Sequence, residues 1–224
     1  GKLLLAAEFT GHSQEPMKSI LYLHGFASSP AGRKVTAVRD LLAPIEFRVV
    51  APDLNVPSFQ RLEFEAMARI ALWESRIHKP AVIVGSSLGA LVALETSRRG
   101  APAPLLLIAP ALGFGPRWIE KIAPGDPLLF FHHGQEREMP IHRAFFEEMA
   151  RRDTDQEPPP RPVVVMIGSQ DESVPPESVR STWQRWEASG RLPPGSRYIE
   201  IAQGDHGLVE FAPRIAEEIV SLAA

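Results

Sequence analysis

Val84-Gly85-Ser86-Ser87-Leu88-Gly89-Ala90 sets the architecture of this chain, because it reads as a buried strand that turns sharply into a helix. The stretch fits G-x-S-x-G with Ser87 as the serine. A side chain presented at such a turn leaves no room for bulk two residues to either side, which accounts for Gly85 and Gly89. Leu88 follows the serine and can offer its backbone N–H to an oxyanion. Upstream, Pro80-Ala81-Val82-Ile83-Val84 is a short apolar, partly β-branched run of the kind buried in a parallel sheet. Downstream, Leu88, Leu91, Val92 and Glu95 keep helical spacing, and Ala90 and Ala93 allow close packing. Arg98 and Arg99 suit a helix C-terminus, and Gly100 ends it.

Towards the N-terminus, Ser19-Ile20-Leu21-Tyr22-Leu23 predicts a strand that ends at His24-Gly25-Phe26, and residues 3–9 predict another. His24 is expected to shape its loop through hydrogen bonds rather than do chemistry. Ser29 reads as an N-cap and Pro30 as the first residue of a helix that buries Val35, Val38, Leu41 and Leu42 and stops at Pro44. Phe47-Arg48-Val49-Val50-Ala51 predicts a third strand, after which Asp53 is expected to tie down its own turn. Leu62, Ala66, Ile70, Trp73 and Ile77 predict an amphipathic helix whose apolar stripe is core.

Towards the C-terminus, Leu105-Leu106-Leu107-Ile108-Ala109 is the next strand, and then periodicity breaks over residues 110–162. That interval is too long for a plain connection and predicts a lid. It carries Phe114, Trp118, Phe130, Phe131, Phe145 and Phe146, which fit either lid core or an acyl pocket, and a helical segment from Ile141 to Arg152. His132, His133 and His142 lack further ligands at metal spacing, so no metal site is expected. Val163-Val164-Val165-Met166-Ile167 resumes the sheet and leads into Gly168-Ser169-Gln170-Asp171-Glu172-Ser173-Val174-Pro175. A helix with Val179, Trp183 and Trp186 ends at Gly190. Tyr198-Ile199-Glu200-Ile201 then runs into Gln203-Gly204-Asp205-His206-Gly207-Leu208, before a closing helix that starts near Pro213 and buries Ile215, Ile219 and Val220.

Ser87, Asp171 and His206 each follow a predicted buried strand, and parallel strands bring their C-terminal ends to one edge. Their chemistry is complementary. A serine hydroxyl needs a base to take its proton, histidine titrates near neutrality, and a carboxylate fixes the imidazole's tautomer and stabilises its cation. Glu172 and Asp205 compete with Asp171 as the acid. Asp171 is preferred because Asp205 adjoins the histidine and its side chain is expected to point elsewhere.

The strand-His-Gly loop, the G-x-S-x-G elbow, the G-x-x-D-x-x-V-P acid loop and the Asp-His loop together resemble the α/β-hydrolase superfamily over nearly the whole chain. More narrowly, Tyr22-Leu23-His24-Gly25-Phe26-Ala27-Ser28-Ser29-Pro30 with the elbow is similar to small bacterial serine esterases that carry Y-L-H-G-F-x-S-S-P. Ala90 departs from the second glycine of many such elbows. The resemblance implies a mostly parallel sheet flanked by helices and a Ser87, Asp171, His206 triad. It also implies oxyanion donors at Leu88 and Phe26, with Ala27 the alternative to Phe26, and no metal or cofactor. Hydrolysis of short- to medium-chain carboxylic esters is the expected activity. Thioester hydrolysis, peptide hydrolysis and non-catalytic ligand binding are the alternatives. A serine at the elbow argues against dehalogenase and epoxide-hydrolase chemistry, which expect an aspartate there.

Composition narrows the classes further. A chain of 224 residues suits one α/β domain, residues 1–224, able to bury about seventy per cent of its unfolded surface. With 44% hydrophobic and 23% charged residues and a net charge of −3, it has no electrostatic signature of a nucleic-acid partner. The absence of cysteine excludes disulfides, thiolate nucleophiles and cysteine-ligated metals. No apolar run reaches membrane-spanning length, so a cytoplasmic protein acting on small molecules is expected, and nothing in composition selects an oligomeric state.

Overall fold

The computed structural model describes residues 17–113, 117, 119–120, 122, 124–152 and 155–224. The strand expected over residues 3–9, and Phe114 and Trp118, lie outside them. Six strands form one parallel sheet: β1 (Lys18–Leu23), β2 (Phe47–Val50), β3 (Val82–Ser86), β4 (Leu105–Ile108), β7 (Val163–Gly168) and β8 (Arg197–Ile201), in the order β2-β1-β3-β4-β7-β8. Between β4 and β7 the chain adds an antiparallel hairpin, β5 (Leu128–His132) with β6 (Arg137–Ile141).

The apolar runs form central strands because both of their faces are covered. Successive side chains alternate between two cores. Leu21, Leu23, Ile83, Leu105, Leu107, Val163 and Val165 join a cluster under helices α2 (Phe64–His78), α3 (Leu88–Arg98) and α5 (Pro176–Ala188). Ile20, Tyr22, Val82, Val84, Leu106, Ile108 and Val164 face the opposite way, towards α1 (Arg33–Leu42) and α6 (Ala212–Ala223). The chain leaves β1 for the β2 edge and returns on the other side at β3. The strand order therefore reverses between β1 and β3, which is where an open parallel sheet forms its crevice.

Four local expectations are corrected. Helix α1 begins at Arg33 behind Gly32, while the Ser29 hydroxyl accepts the Ala31 N–H at 3.3 Å, so Ser29 and Pro30 belong to a turn before the helix. Within α1, Val35, Val38 and Leu42 are buried but Leu41 is exposed. In α2 the buried face is Phe64, Met67, Ala68, Ala71 and Ser75, while Trp73 and Ile77 are 63% and 53% exposed. The stripe read from the larger side chains was the wrong face: alanines let α2 approach α3 closely, so the small residues, not the tryptophan, mark the contact. In α6, Ile215 and Ile219 are buried but Val220 is exposed.

The helical segment expected from Ile141 to Arg152 is α4 (Ala144–Ala150), and the hairpin before it had no counterpart in the sequence reading. β5 offers only weak alternation, Leu129 and Phe131 being exposed on its outer face. Among the described residues, no helix is long and apolar enough to cross a membrane.

Candidate active site

Ser87 lies between β3 and α3 with φ +54° and ψ −116°, a conformation that non-glycine residues avoid. Its surroundings hold it there. The Ser87 N–H donates to the Ile108 carbonyl at 2.9 Å, and the Ser87 carbonyl accepts from the N–H groups of Ala90 and Ala111 at 3.1 and 3.2 Å. The flanking glycines are dictated by backbone proximity: a Cβ on Gly85 would stand 2.6 Å from the Ala90 Cα, and one on Gly89 would run into the Leu23 and His24 carbonyls. The elbow is thus pressed against the end of β1. Gly25 completes the seam, since a Cβ there would come within 3.1 Å of the Ser87 Cβ.

Asp171 and His206 arrive on loops that are zipped together beyond β7 and β8. Ser169 N–H donates to the Ile201 carbonyl and Gln170 N–H to the Gly204 carbonyl, both at 2.9 Å, and Gln203 N–H donates to the Ser169 hydroxyl at 2.9 Å. Gly168 and Gly204 pass so closely that a Cβ on the first would collide with the backbone of the second. The Asp171 side chain is fully buried, and one oxygen accepts the Ser173 and Val174 N–H groups at 2.9 and 2.8 Å. Its other oxygen lies 2.8 Å from His206 Nδ1, and His206 Nε2 lies 3.1 Å from Ser87 Oγ. All three sequence candidates therefore meet in one hydrogen-bonded line. Of the competing acids, Asp205 instead accepts the Leu208 N–H at 2.8 Å, and Glu172 is exposed.

The loop after β1 forms the facing wall. Buried His24 accepts the Leu54 N–H on Nε2 at 2.9 Å, so its Nδ1 carries the proton and donates to the Gly25 carbonyl at 2.9 Å. It is a loop-shaping residue, as read. Asp53 likewise accepts the Asn55 backbone and side-chain N–H groups at 2.9 and 2.7 Å and ties down its turn. Phe26 is gripped by the insertion: its ring stacks on Phe145 with centroids 6.2 Å apart and meets Phe130 edge-on at 5.3 Å. Ala27, with φ +55°, accepts the His133 N–H at 2.8 Å through its carbonyl. Leu88 is the first residue of α3, where an N–H has no acceptor within its own helix.

Four of the insertion's aromatics lie among the described residues. Phe130, Phe145 and Phe146 pack around Phe26 and one another, while Phe131 lines the cleft beside Ser87. That cleft, about 1070 Å³, is bounded by the loop from His24 to Lys34, by the hairpin tip from His133 to Glu136 and by Asp205 and His206. The three histidines of the insertion go separate ways. His132 is buried against Phe59, accepts the Gly134 and Gln135 N–H groups, and has its pKa lowered chiefly by burial. The His133 ring meets Phe131, and His142 Nδ1 lies 3.1 Å from Asp126.

Two neighbours of the site escaped the sequence reading. Lys34, in the first turn of α1, donates from Nζ to the Ser86 hydroxyl at 2.9 Å and to the His206 main-chain carbonyl at 3.3 Å. Burial pulls its pKa down to about 8, against the opposing pull of Asp171 and Asp205. Tyr22, fully buried near Ser86, has its phenol pKa raised by burial. A lone lysine after a Ser-Ser-Pro loop carries no motif, and only the packing of α1 against the sheet reveals its position.

A parallel sheet with a serine elbow at its switch point and an acid and a histidine on later strand ends defines the α/β-hydrolase fold. Solved structures of similar architecture agree. Est1E from Butyrivibrio proteoclasticus with bound ferulic acid superposes with TM-score 0.72 at 16% identity, over 93% of this chain and 90% of that one. The esterase domain of a Rhodothermus marinus protein gives 0.68 at 20% identity, over 95% and 88%. The monoacylglycerol lipase of Paleococcus ferrophilus gives 0.67 at 20%, over 91% and 94%. The protein has the α/β-hydrolase fold. The chain belongs to the family described as UPF0227, an uncharacterised protein family, which matches residues 19–223. No curated protein sequence matches it.

Proposed function

We propose that this protein is a serine hydrolase that cleaves carboxylic esters through an acyl-enzyme intermediate. The observation that carries the reading is the line from Asp171 Oδ2 to His206 Nδ1 at 2.8 Å and from His206 Nε2 to Ser87 Oγ at 3.1 Å. In this reading His206 takes the serine proton as Oγ attacks the acyl carbon, and Asp171 holds the Nδ1–H tautomer and stabilises the imidazolium. The N–H groups of Leu88 and Phe26 stabilise the oxyanion. His206 then protonates the departing alcohol, and water repeats the sequence to free the acid.

The substrate is an ester of short- to medium-chain acyl groups. The cleft wall is mixed, with Ser28, Ser29, Lys34, His133 and Gln135 alongside Phe26, Val35, Phe131 and Val209, and the other aromatics of the hairpin and α4 are spent on packing, which favours the shorter end of that range. Residues 110–162 act as a cap that stays docked. Its support is the attachment of α4 to the body: Arg152 pairs with Glu148 and stands over the Phe64 ring, the Phe64 N–H donates to Glu148, and the His142 N–H donates to the Gln60 carbonyl.

A panel of matched ester, thioester and anilide substrates tests the reading. Ester hydrolysis dominates on this account, and a dominant thioester or anilide rate would replace it. Activity also falls on acidification, because the imidazolium cannot accept the serine proton. A rate flat from mildly acidic to alkaline pH would remove His206 as the base.

A further inference from the structure

Lys34 occupies a place that ordinary helix and burial preferences disfavour. It is the second residue of α1, where the helix dipole repels cations, and the first turn of that helix has no acidic residue to offset it. Its ammonium is part-buried in the cleft wall, yet among the described residues no carboxylate lies within ion-pair distance, and the acceptors it meets are two neutral oxygens. Partly burying a cation with only neutral partners costs stability that an apolar side chain of similar length would not incur. What the arrangement provides is a junction. The Ser86 hydroxyl stands one residue before Ser87, the His206 carbonyl belongs to the residue whose ring faces Ser87, and both are joined through a helix that belongs to neither loop.

We propose that Lys34 is a positioning residue for the Ser87–His206 pair, its ammonium bridging the end of β3 and the main chain of His206 so that the imidazole stays within hydrogen-bond distance of the serine. The inference rests on the serine-hydrolase reading for its effect on turnover, but the contact itself can be tested without a substrate. Asp171 anchors the ring from the side of Nδ1, and Lys34 anchors the backbone that carries the ring. The Gln170 N–H holds the same loop at the Gly204 carbonyl, two residues before the histidine, but without Lys34 the main chain at His206 itself loses its side-chain anchor, and a misplacement there on the order of 1 Å costs about 10²-fold in rate.

The test compares wild type, Lys34→Met and Ser86→Ala, each verified as folded by its melting transition. On p-nitrophenyl acetate, Lys34→Met is expected to lower kcat about 10- to 100-fold with KM changed less than about threefold, the signature of lost geometry rather than lost binding. Ser86→Ala removes one of the two acceptors and is expected to lower kcat by about two- to tenfold. The substrate-free readout is the NMR signal of the His206 imidazole, which is expected to move in Lys34→Met. A rise in KM with kcat unchanged would overturn the proposal by making Lys34 a substrate contact, as would a full kcat with an unmoved His206 signal. If Lys34→Met fails to fold, Ser86→Ala decides: a reduced kcat supports the bridge and an unchanged one overturns it. A wild-type chain inert to every ester would refute the hydrolase reading instead, and the His206 signal would still decide whether Lys34 holds the loop.

Discussion

The C-terminal edge of the sheet and the insertion between β4 and β7 are organised by different rules. At the edge, glycines and hydrogen bonds to main chain bring three loops together, and these constraints leave marks in the sequence: Gly85 and Gly89 around the elbow, Gly168 and Gly204 where two loops cross, and fully buried apolar strands before Ser87 and Asp171. In the insertion, order comes from side chains meeting across long separations, such as Phe26 on Phe145 or Arg152 over Phe64. Such contacts have no local spacing to betray them. The two regions meet at the loop after β1, where the His133 N–H holds the Ala27 carbonyl beside the proposed oxyanion donor.

The sharpest way to break this comparison is to strike the edge. Ser87→Ala and His206→Ala are expected to lower kcat by roughly 10⁶-fold, and Asp171→Asn by less, on the order of 10⁴-fold, in steady-state ester hydrolysis. Equal activity in Asp171→Asn and wild type would show that another group serves as the acid. Striking the insertion should act through stability first. Phe146→Ala, which empties a fully buried site, is expected to cost about 3–5 kcal/mol in denaturant unfolding. Phe145→Ala should add a loss of kcat of about tenfold or more, because its ring supports Phe26. An unchanged kcat there would mean that the cap does not hold the oxyanion loop.

The edge can also be probed through pH. The folded chain depresses the Lys34 pKa to about 8 from its ordinary 10.5, so between those values the unfolded chain holds a proton that the folded chain has released. Stability therefore rises with pH across that window, and is lowest below pH 8 where the part-buried amine stays charged. Relative to Lys34→Met, wild type should gain on the order of 2–3 kcal/mol between pH 8 and pH 10.5, read from paired denaturant curves. A constant difference would place the ammonium in solvent. The smallest effect belongs to the ionic cluster of Arg99, Glu65 and Glu95 on the α2–α3 surface: Glu65→Gln should cost no more than about 1 kcal/mol, its carboxylate being close to half exposed.

What could be read in the sequence follows the same division. The strand runs, the serine turn and the turn tied by Asp53 were legible because each depends on residues near in sequence, and the meeting of Ser87, Asp171 and His206 was legible because each stands just past the end of a parallel strand. The buried face of α2 was misread because burial there follows the approach of α3, which favours alanine over tryptophan. The hairpin was missed because its outer face carries Leu129 and Phe131, so polarity does not alternate cleanly along β5. Lys34 was missed because its partners lie 52 and 172 residues away.

The most direct test of the central claim is the initial rate of hydrolysis of p-nitrophenyl esters of increasing acyl length, with Ser87→Ala run alongside. The account predicts turnover that depends on Ser87 and is greatest at short chain length. Absence of turnover on every ester, or a rate that survives Ser87→Ala, would contradict it.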